Sequence, residues 1–562
     1  MTVLSLIPPV FFGYFFFPRL KRKLRILLTR IGAGIAAVFL ALFVGSIVFR
    51  TLGTVTIGDQ NIKRDAQRVY LSLDVITNED LAKLTELKNM EELEIVECFL
   101  DDADMELLGQ LTQLKKLSIT ANTDVTDVSP LAKLTGLEKL DISNTQVTDI
   151  SPLAGLTELT YLDISNTKIK SLAILEDYTQ LTTLYMSSID GLDPSTITMP
   201  ASIETLYCES NDLPSLEFLT GAENLYSLMA TRNQISDLTP LAGCAPSLLD
   251  LSANNITDIS PLDITNLWSL DLSTNRITDI SPLADCKISS LDLAYNQIVD
   301  LTPLAENTNI NVLTVNNNRI TDISPLKDCF HMHTLDISYN EISGIDALAT
   351  VDDLKHLTAR GNAISDISPL AKCATLIQSG TALDLRDNEI VDIQPLALYT
   401  NTSHFYLSGN RITNISPLAG CTALEMLKLS NNQVTDISPI YDLPQLYILE
   451  VVNNPVSSLE GFRLLGYKNG FDRHATFRFT YHEAIDYEAL SKVTQLRVTV
   501  YNVPPRQVDP LKDCGFFVYE NTEELDTVPP NYDIDQEEGT EETTPSTEPS
   551  VTEASTEVTV HG

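Results

Sequence analysis

From about residue 70 the chain alternates apolar and polar side chains in short bursts, and each burst is followed by a turn phrase and another apolar pair. LDLSTNRITDISPLADC begins at Leu270, LDLAYNQIVDLTPLAEN at Leu291 and LDISYNEISGIDALATV at Leu335. The shared template is L-x-L-x-x-N-x-I-x-D-I-S-P-L-A. Its L-x-L segment has the period-two pattern of a strand with leucines facing in. Indexed by the asparagine, the coils fall at 122, 145, 167, 189, 211, 233, 254, 275, 296, 318, 340, 362, 388, 410, 432 and 454. Spacings are 21 to 23 residues, except for 26 between Asn362 and Asn388. Two less regular coils precede them, around Leu71–Leu73 and Leu93–Ile95.

No such coil can bury its leucines alone, so the pattern predicts a stacked solenoid whose strands form one parallel sheet at steps of about 4.8 Å. The asparagine amide both donates and accepts, and so suits bonding to its own and neighbouring coils. Thr145, Thr167 and Ile189 stand in its place, which predicts an interruption over three successive coils. Ser129-Pro130, Ser281-Pro282 and Ser368-Pro369 read as a serine N-cap with proline at the first helical position. Each coil is expected to close with a short 3-10 turn on the convex side. The fold class is thus α/β, a repeat solenoid with the sheet on its concave face.

The flanks differ in kind. Ile31–Phe49 is an uncharged run of nineteen residues, about 28 Å long as a helix and matched to a bilayer core. Six basic residues between Arg19 and Arg30 precede it. This predicts a single-pass transmembrane signal anchor with 1–30 cytoplasmic and the repeats outside. A cleaved signal peptide, with Val44-Gly45-Ser46 as its site, is the alternative. The apolar opening at 1–17, broken by Pro8-Pro9, reads as a membrane-dipping segment or a further span. Residues 50–69 read as a linker and 70–121 as an N-terminal cap with irregular repeats, including amphipathic helices over 79–88 and 102–111. The array runs over 122–474, and 475–521 reads as a divergent cap. The tail at 522–562 holds twelve acidic residues and no Lys or Arg, a composition that predicts disorder.

Charge narrows the partners. The net charge is −39, and residues 1–50 hold seven basic residues and no acidic one. The remainder therefore carries 30 basic against 76 acidic residues, a net of −46. Such a surface repels nucleic acid, and it suits basic partners or simple solubility. No phosphate loop, nucleophile elbow or His-Glu-x-x-His pattern is present, and the repeats leave no room for a second domain. The sequence therefore predicts no enzyme and no cofactor.

Cys244, Cys286, Cys329, Cys373 and Cys421 replace one core position in alternate coils. Two coil steps of about 10 Å exceed disulfide reach, so buried thiols are expected. Cys329, His331 and His333 lie close in sequence, but the cysteine belongs to the core, so no metal site is predicted.

The phrase N-x-I-T-D-I-S-P-L-A resembles the repeats of internalin-type bacterial leucine-rich-repeat surface proteins. The resemblance covers about residues 70–460. It implies a surface protein that binds other proteins on its concave face. The chain departs from the wall-anchored members, whose LPxTG sorting signal it lacks.

On the concave face two clusters stand out. The first is Tyr161, Tyr185, Tyr207 and Met229 on successive coils, with Arg232 beside them. It reads as a binding hot spot, or as tyrosines stacked over the stretch where the asparagine ladder lapses. The second is His356, Arg360, Arg386, His404 and Tyr406, a basic island that suits an anionic group. Its alternative is that the arginines neutralise Asp336 and Asp384 across strands. Asp250, Asp271 and Asp292 stack like charges, compensated by serines or by calcium. Trp268, the single tryptophan, is an anchor or a loop cover. Together these predict an adhesin or receptor-like module for a protein or glycan partner. The alternative is an envelope-organising scaffold without one specific ligand.

Overall fold

The computed structural model describes residues 53–72, 76–284, 286–462, 475–493 and 496–520. The segments at 1–17, 1–30, 31–49 and 522–562 discussed above lie outside these residues. Among the described residues no helix is long and apolar enough to cross a membrane.

Among the described residues, twenty-one strands follow one another in chain order and pair in parallel, from Arg68–Ser72 to Phe517–Val518. The first of them pairs only with Glu92–Val96 and the last only with Leu496–Tyr501, so the sheet is an open ladder. Most strands are three residues long, such as Ser269–Asp271 and Ser290–Asp292. Their central leucines stack in one buried column, with Leu228, Leu249, Leu270, Leu291 and Leu313 all 2% exposed or less.

After most strands the chain turns through a residue in the left-handed region, as at Thr274 (φ 57°) and Asn317 (φ 55°). The ladder asparagine follows directly. Asn275 accepts from the Ile256 N–H at 3.0 Å and donates to the carbonyls of Leu251 at 3.0 Å and Leu272 at 3.1 Å. One side chain thus satisfies three backbone groups across two coils, which unpaired would cost about 1–3 kcal/mol each. Thr145 and Thr167 donate only within their own coils, to Ile142 and Ile164 at 2.7 Å. The expected interruption is therefore present.

The convex side carries short 3-10 turns such as Ser281–Leu283 and Ser416–Gly420. The expected cap is corrected here. Serine is the first residue of the turn and proline the second, and the residue before serine offers no side-chain cap. The aspartate two positions before serine accepts the serine N–H instead, as Asp279 does at 2.8 Å. This explains why the template reads D-I-S-P.

Both ends are closed. Residues 50–69 are not a plain linker, because Thr54–Ile57 pairs antiparallel with Gln60–Lys63 and buries Val55 and Ile57. Helices Asn78–Leu84 and Asp102–Leu108 follow, each opened by a reciprocal capping box, at Thr77/Asp80 and Asp101/Asp104. They occupy the first turns of the spans at 79–88 and 102–111. At the far end, helices Tyr487–Ser491 and Pro505–Asp513 replace the 3-10 turns. Phe477 and Phe479 fill the core there, with centroids 4.6 Å apart. These bulkier coils cover what would otherwise be an open leucine face.

Candidate functional site

Alternation turns outward the residues on either side of each buried leucine, and the pairing register aligns them into rows. The row four before each ladder position runs Asp141, Asp163, Tyr185, Tyr207, Met229, Asp250, Asp271 and Asp292 without a slip. Tyr161 lies in the row two residues earlier, opposite Thr183. Its ring leans to Tyr185, at 5.4 Å between centroids and 44° between planes. Tyr185 and Tyr207 stack at 4.3 Å and 8°. Lys139 Nζ stands 5.6 Å from the Tyr161 ring centroid. The three tyrosines and Met229 are half-buried, so each presents one face outward. Arg232 is exposed but belongs to the left-handed turn (φ 55°), not to a strand row. The structure therefore joins the four cluster residues and sets the arginine at their edge.

The basic island is resolved differently. Arg386 grips Asp384 of its own strand through Nε (2.9 Å to Oδ1) and Nη2 (2.5 Å to Oδ2). Arg360 Nε donates to Asp387 Oδ2 at 2.7 Å. The neutralising partners are thus Asp384 and Asp387, not Asp336. Asp387 sits at the left-handed turn beside the strand (φ 55°), where it meets the neighbouring coil's arginine. Tyr406 is only 6% exposed and lies between the Arg386 guanidinium at 5.2 Å and Lys428 at 5.8 Å. Burial lowers the His404 pKa, which favours the neutral imidazole. His356 alone of the five is exposed. This cluster is an ion-paired brace around a buried ring. Gly361 completes it, since a Cβ there would come within 2.7 Å of the Tyr339 ring.

The aspartate row is built into the backbone. Asp250, Asp271 and Asp292 each accept the N–H two residues on, from Ser252, Ser273 and Ala294, at 2.8–2.9 Å. Cys329, His331 and His333 do not converge: the thiol is buried, His331 meets Asp353 and His333 meets Asn311. The convex cysteines do more than fill space. Cys373 donates to the Leu348 carbonyl of the preceding coil at 3.2 Å, and Tyr399 at the equivalent position donates to Leu370 at 3.0 Å.

Sequence reasoning missed three features. Tyr226, one residue before its strand, is 56% exposed and stands in the same row as Trp268 at 58%. Tyr295 is 45% exposed at a left-handed turn, where a bulky residue is uncommon. A cleft of about 510 Å³ crosses the first five strands, lined by Tyr70, Glu94, Lys116, Lys139, Asp141 and Tyr161 among others. Its signal was present as aromatic and charged residues at outward positions of the irregular coils.

The family described as "Leucine Rich repeats (2 copies)" matches residues 112–155, 286–328, 403–439 and 422–464. The chain therefore carries leucine-rich repeats, stacked into a solenoid. The leucine-rich-repeat protein of Leptospira interrogans is 22% identical, with a TM-score of 0.56 over 64% of this chain and 94% of that one. The functional domain of InlJ from Listeria monocytogenes, which includes a cysteine ladder, is 24% identical, with a TM-score of 0.50 over 67% and 76%. The Arabidopsis receptor kinase HAESA, solved with the peptide hormone IDA and a co-receptor, is 17% identical, with a TM-score of 0.56 over 84% and 92%. At these identities the likeness is one of fold. No curated protein matches the sequence closely.

Proposed function

We propose that this leucine-rich-repeat array is the partner-binding ectodomain of a surface protein. In this reading residues 31–49 anchor it and the solenoid faces outward. The chain acts by recognition and not by catalysis. A protein partner lies across the concave face, centred on Tyr161, Tyr185, Tyr207 and Met229. The observation that carries the reading is the half-exposed stack of Tyr185 on Tyr207, extended by Tyr161. Aromatic side chains that lose little conformational freedom on contact are the usual anchors of protein interfaces. The Arabidopsis solenoid of like fold was solved holding a peptide hormone, which lends support to a polypeptide ligand.

The test passes the purified chain in detergent over intact cells and over isolated envelope material, beside a Tyr185→Ala/Tyr207→Ala variant. Saturable binding that the variant loses, with thermal unfolding little changed, is expected. Protease treatment of intact cells producing the chain should remove the repeats from outside. Absence of saturable binding to either surface would leave the envelope scaffold as the better account.

A further inference from the structure

Beyond the tyrosine stack, the same row continues without a break through Asp250, Asp271 and Asp292. Six successive strands thus present Tyr185, Tyr207, Met229 and three carboxylates in one line of about 24 Å. The strand segments 247–253, 268–274, 289–295 and 311–317 contain no lysine, arginine or histidine. Among the described residues the carboxylates are held by uncharged donors, the N–H groups of Ser252, Ser273 and Ala294 and the hydroxyls of Ser252 and Ser273. Elsewhere on this face cations are braced by acids, as at Arg386–Asp384 and Lys116–Glu92. Here like charges adjoin with nothing opposite, an arrangement that costs stability unless another body supplies the cation.

Exposed aromatics mark this stretch as a contact surface independently of its charge. Tyr226 and Trp268 stand on the edge where the chain enters the strands, and Tyr295 stands on the edge where it leaves. Their ring faces attract cations as the carboxylates do. One coil further on, the Asn316 side-chain oxygen is buried with no hydrogen-bond partner. The carboxylates and the exposed ring faces of this stretch thus offer a cation both acceptors and π-faces.

We infer that the concave face from Tyr185 to Asp292 docks an extended polypeptide segment bearing arginine or lysine, its basic side chains over Asp250, Asp271 and Asp292 and its flanks against Tyr226 and Trp268. An extended segment of about seven residues spans the row. The inference rests on the concave face being the partner surface, and it names the chemistry of the partner.

The test uses the purified full chain and two labelled peptides, one alternating arginine with glycine and one alternating glutamate with glycine, read by fluorescence anisotropy at physiological salt. The arginine peptide binds saturably and the glutamate peptide does not. Asp271→Asn/Asp292→Asn weakens binding by about tenfold or more, because asparagine keeps the acceptor for the backbone N–H but loses the charge. Glu223→Gln/Glu306→Gln, which removes two exposed charges elsewhere, changes it less than about twofold. Trp268→Ala weakens it as well. Equal weakening by both double variants would reduce the effect to the general acidic field and overturn the inference, as would no saturable binding. If the cell-surface partner is lost with Tyr185→Ala/Tyr207→Ala but kept by Asp271→Asn/Asp292→Asn, the inference fails while the concave-face reading stands.

Discussion

Tyr185 and Tyr207 lie face to face on paired strands, their centroids 4.3 Å apart and their planes 8° from parallel. The strand spacing alone accounts for this: two identical side chains at one register position are held about 4.8 Å apart. A double-mutant cycle with Tyr185→Ala and Tyr207→Ala should therefore show a coupling of about 0.5–1.5 kcal/mol in unfolding free energy. Partner binding should fall by more, about 2 kcal/mol or above for the double variant. Zero coupling would mean that the stack contributes nothing to the fold and follows from strand register alone.

The rows on this face were readable in advance because two periods coincide. The repeat fixes where each strand starts, and alternation fixes which of its residues face out. Asp141 through Asp292 accordingly fall where the asparagine index places them. Side-chain choice between neighbours was not readable. Arg360 takes Asp387 because that residue occupies a left-handed turn, a position that alternation does not describe. Tyr226 was missed for the same reason, since it precedes its strand. The hairpin at Thr54–Ile57 and Gln60–Lys63 escaped because two four-residue strands carry little pattern.

The lapse in the asparagine ladder leaves a repairable gap. In regular coils the next asparagine accepts the N–H two residues after the previous one, as Asn275 does from Ile256. The Val147 N–H stands where Thr167 provides no such acceptor, and it has none among the described residues. Thr167→Asn should therefore stabilise the chain by about 1 kcal/mol, read as a higher unfolding midpoint. Asn275→Ala should cost several times that, because it strands groups in two coils. A destabilising Thr167→Asn would show that the coil has been reshaped around threonine.

Thiol chemistry offers a separate check on the packing. Burial pushes the Cys329, Cys373 and Cys421 thiols up to about 11, so almost no thiolate is present at neutral pH. Of the eight cysteines, seven are buried and Cys514 is half-buried. A maleimide at neutral pH should label the native chain first at Cys514, and the others should react only after denaturation. Rapid labelling of Cys373 in the native chain would contradict the convex packing described above.

The two arginines of the brace should differ in cost. Asp384 has a side chain 15% exposed and accepts from the Arg386 backbone N–H, Nε and Nη2, whereas Asp387 is 45% exposed. Removing Arg386 strands a largely desolvated carboxylate and uncovers the Tyr406 ring. Arg386→Ala should cost about 2–3 kcal/mol, and Arg360→Ala no more than about 1. Equal costs in chemical denaturation would show that solvent screens both pairs alike.

Stability should also depend on pH through the aspartate row. Burial pushes the Asp292 carboxyl up to about 6 from an ordinary 3.8, and its neighbours Asp271, Asp336 and Asp250 add to this against the Ala294 N–H that holds it down. Asp271 and Asp336 are raised as well, first by burial. A carboxyl whose folded value lies above its unfolded value keeps its proton in the folded chain after the unfolded chain has lost it. Stability from this group is thus greatest below about pH 4, declines as pH rises towards 6 and is flat above. Asp292→Asn should remove that part of the slope and unfold at a higher temperature than the parent at pH 7, because asparagine retains the acceptor for Ala294 without the charge. Thermal unfolding from pH 4 to 7 decides the matter. A constant offset between variant and parent across that range would show that Asp292 ionises normally, and the row would then be solvated enough to need no partner cation.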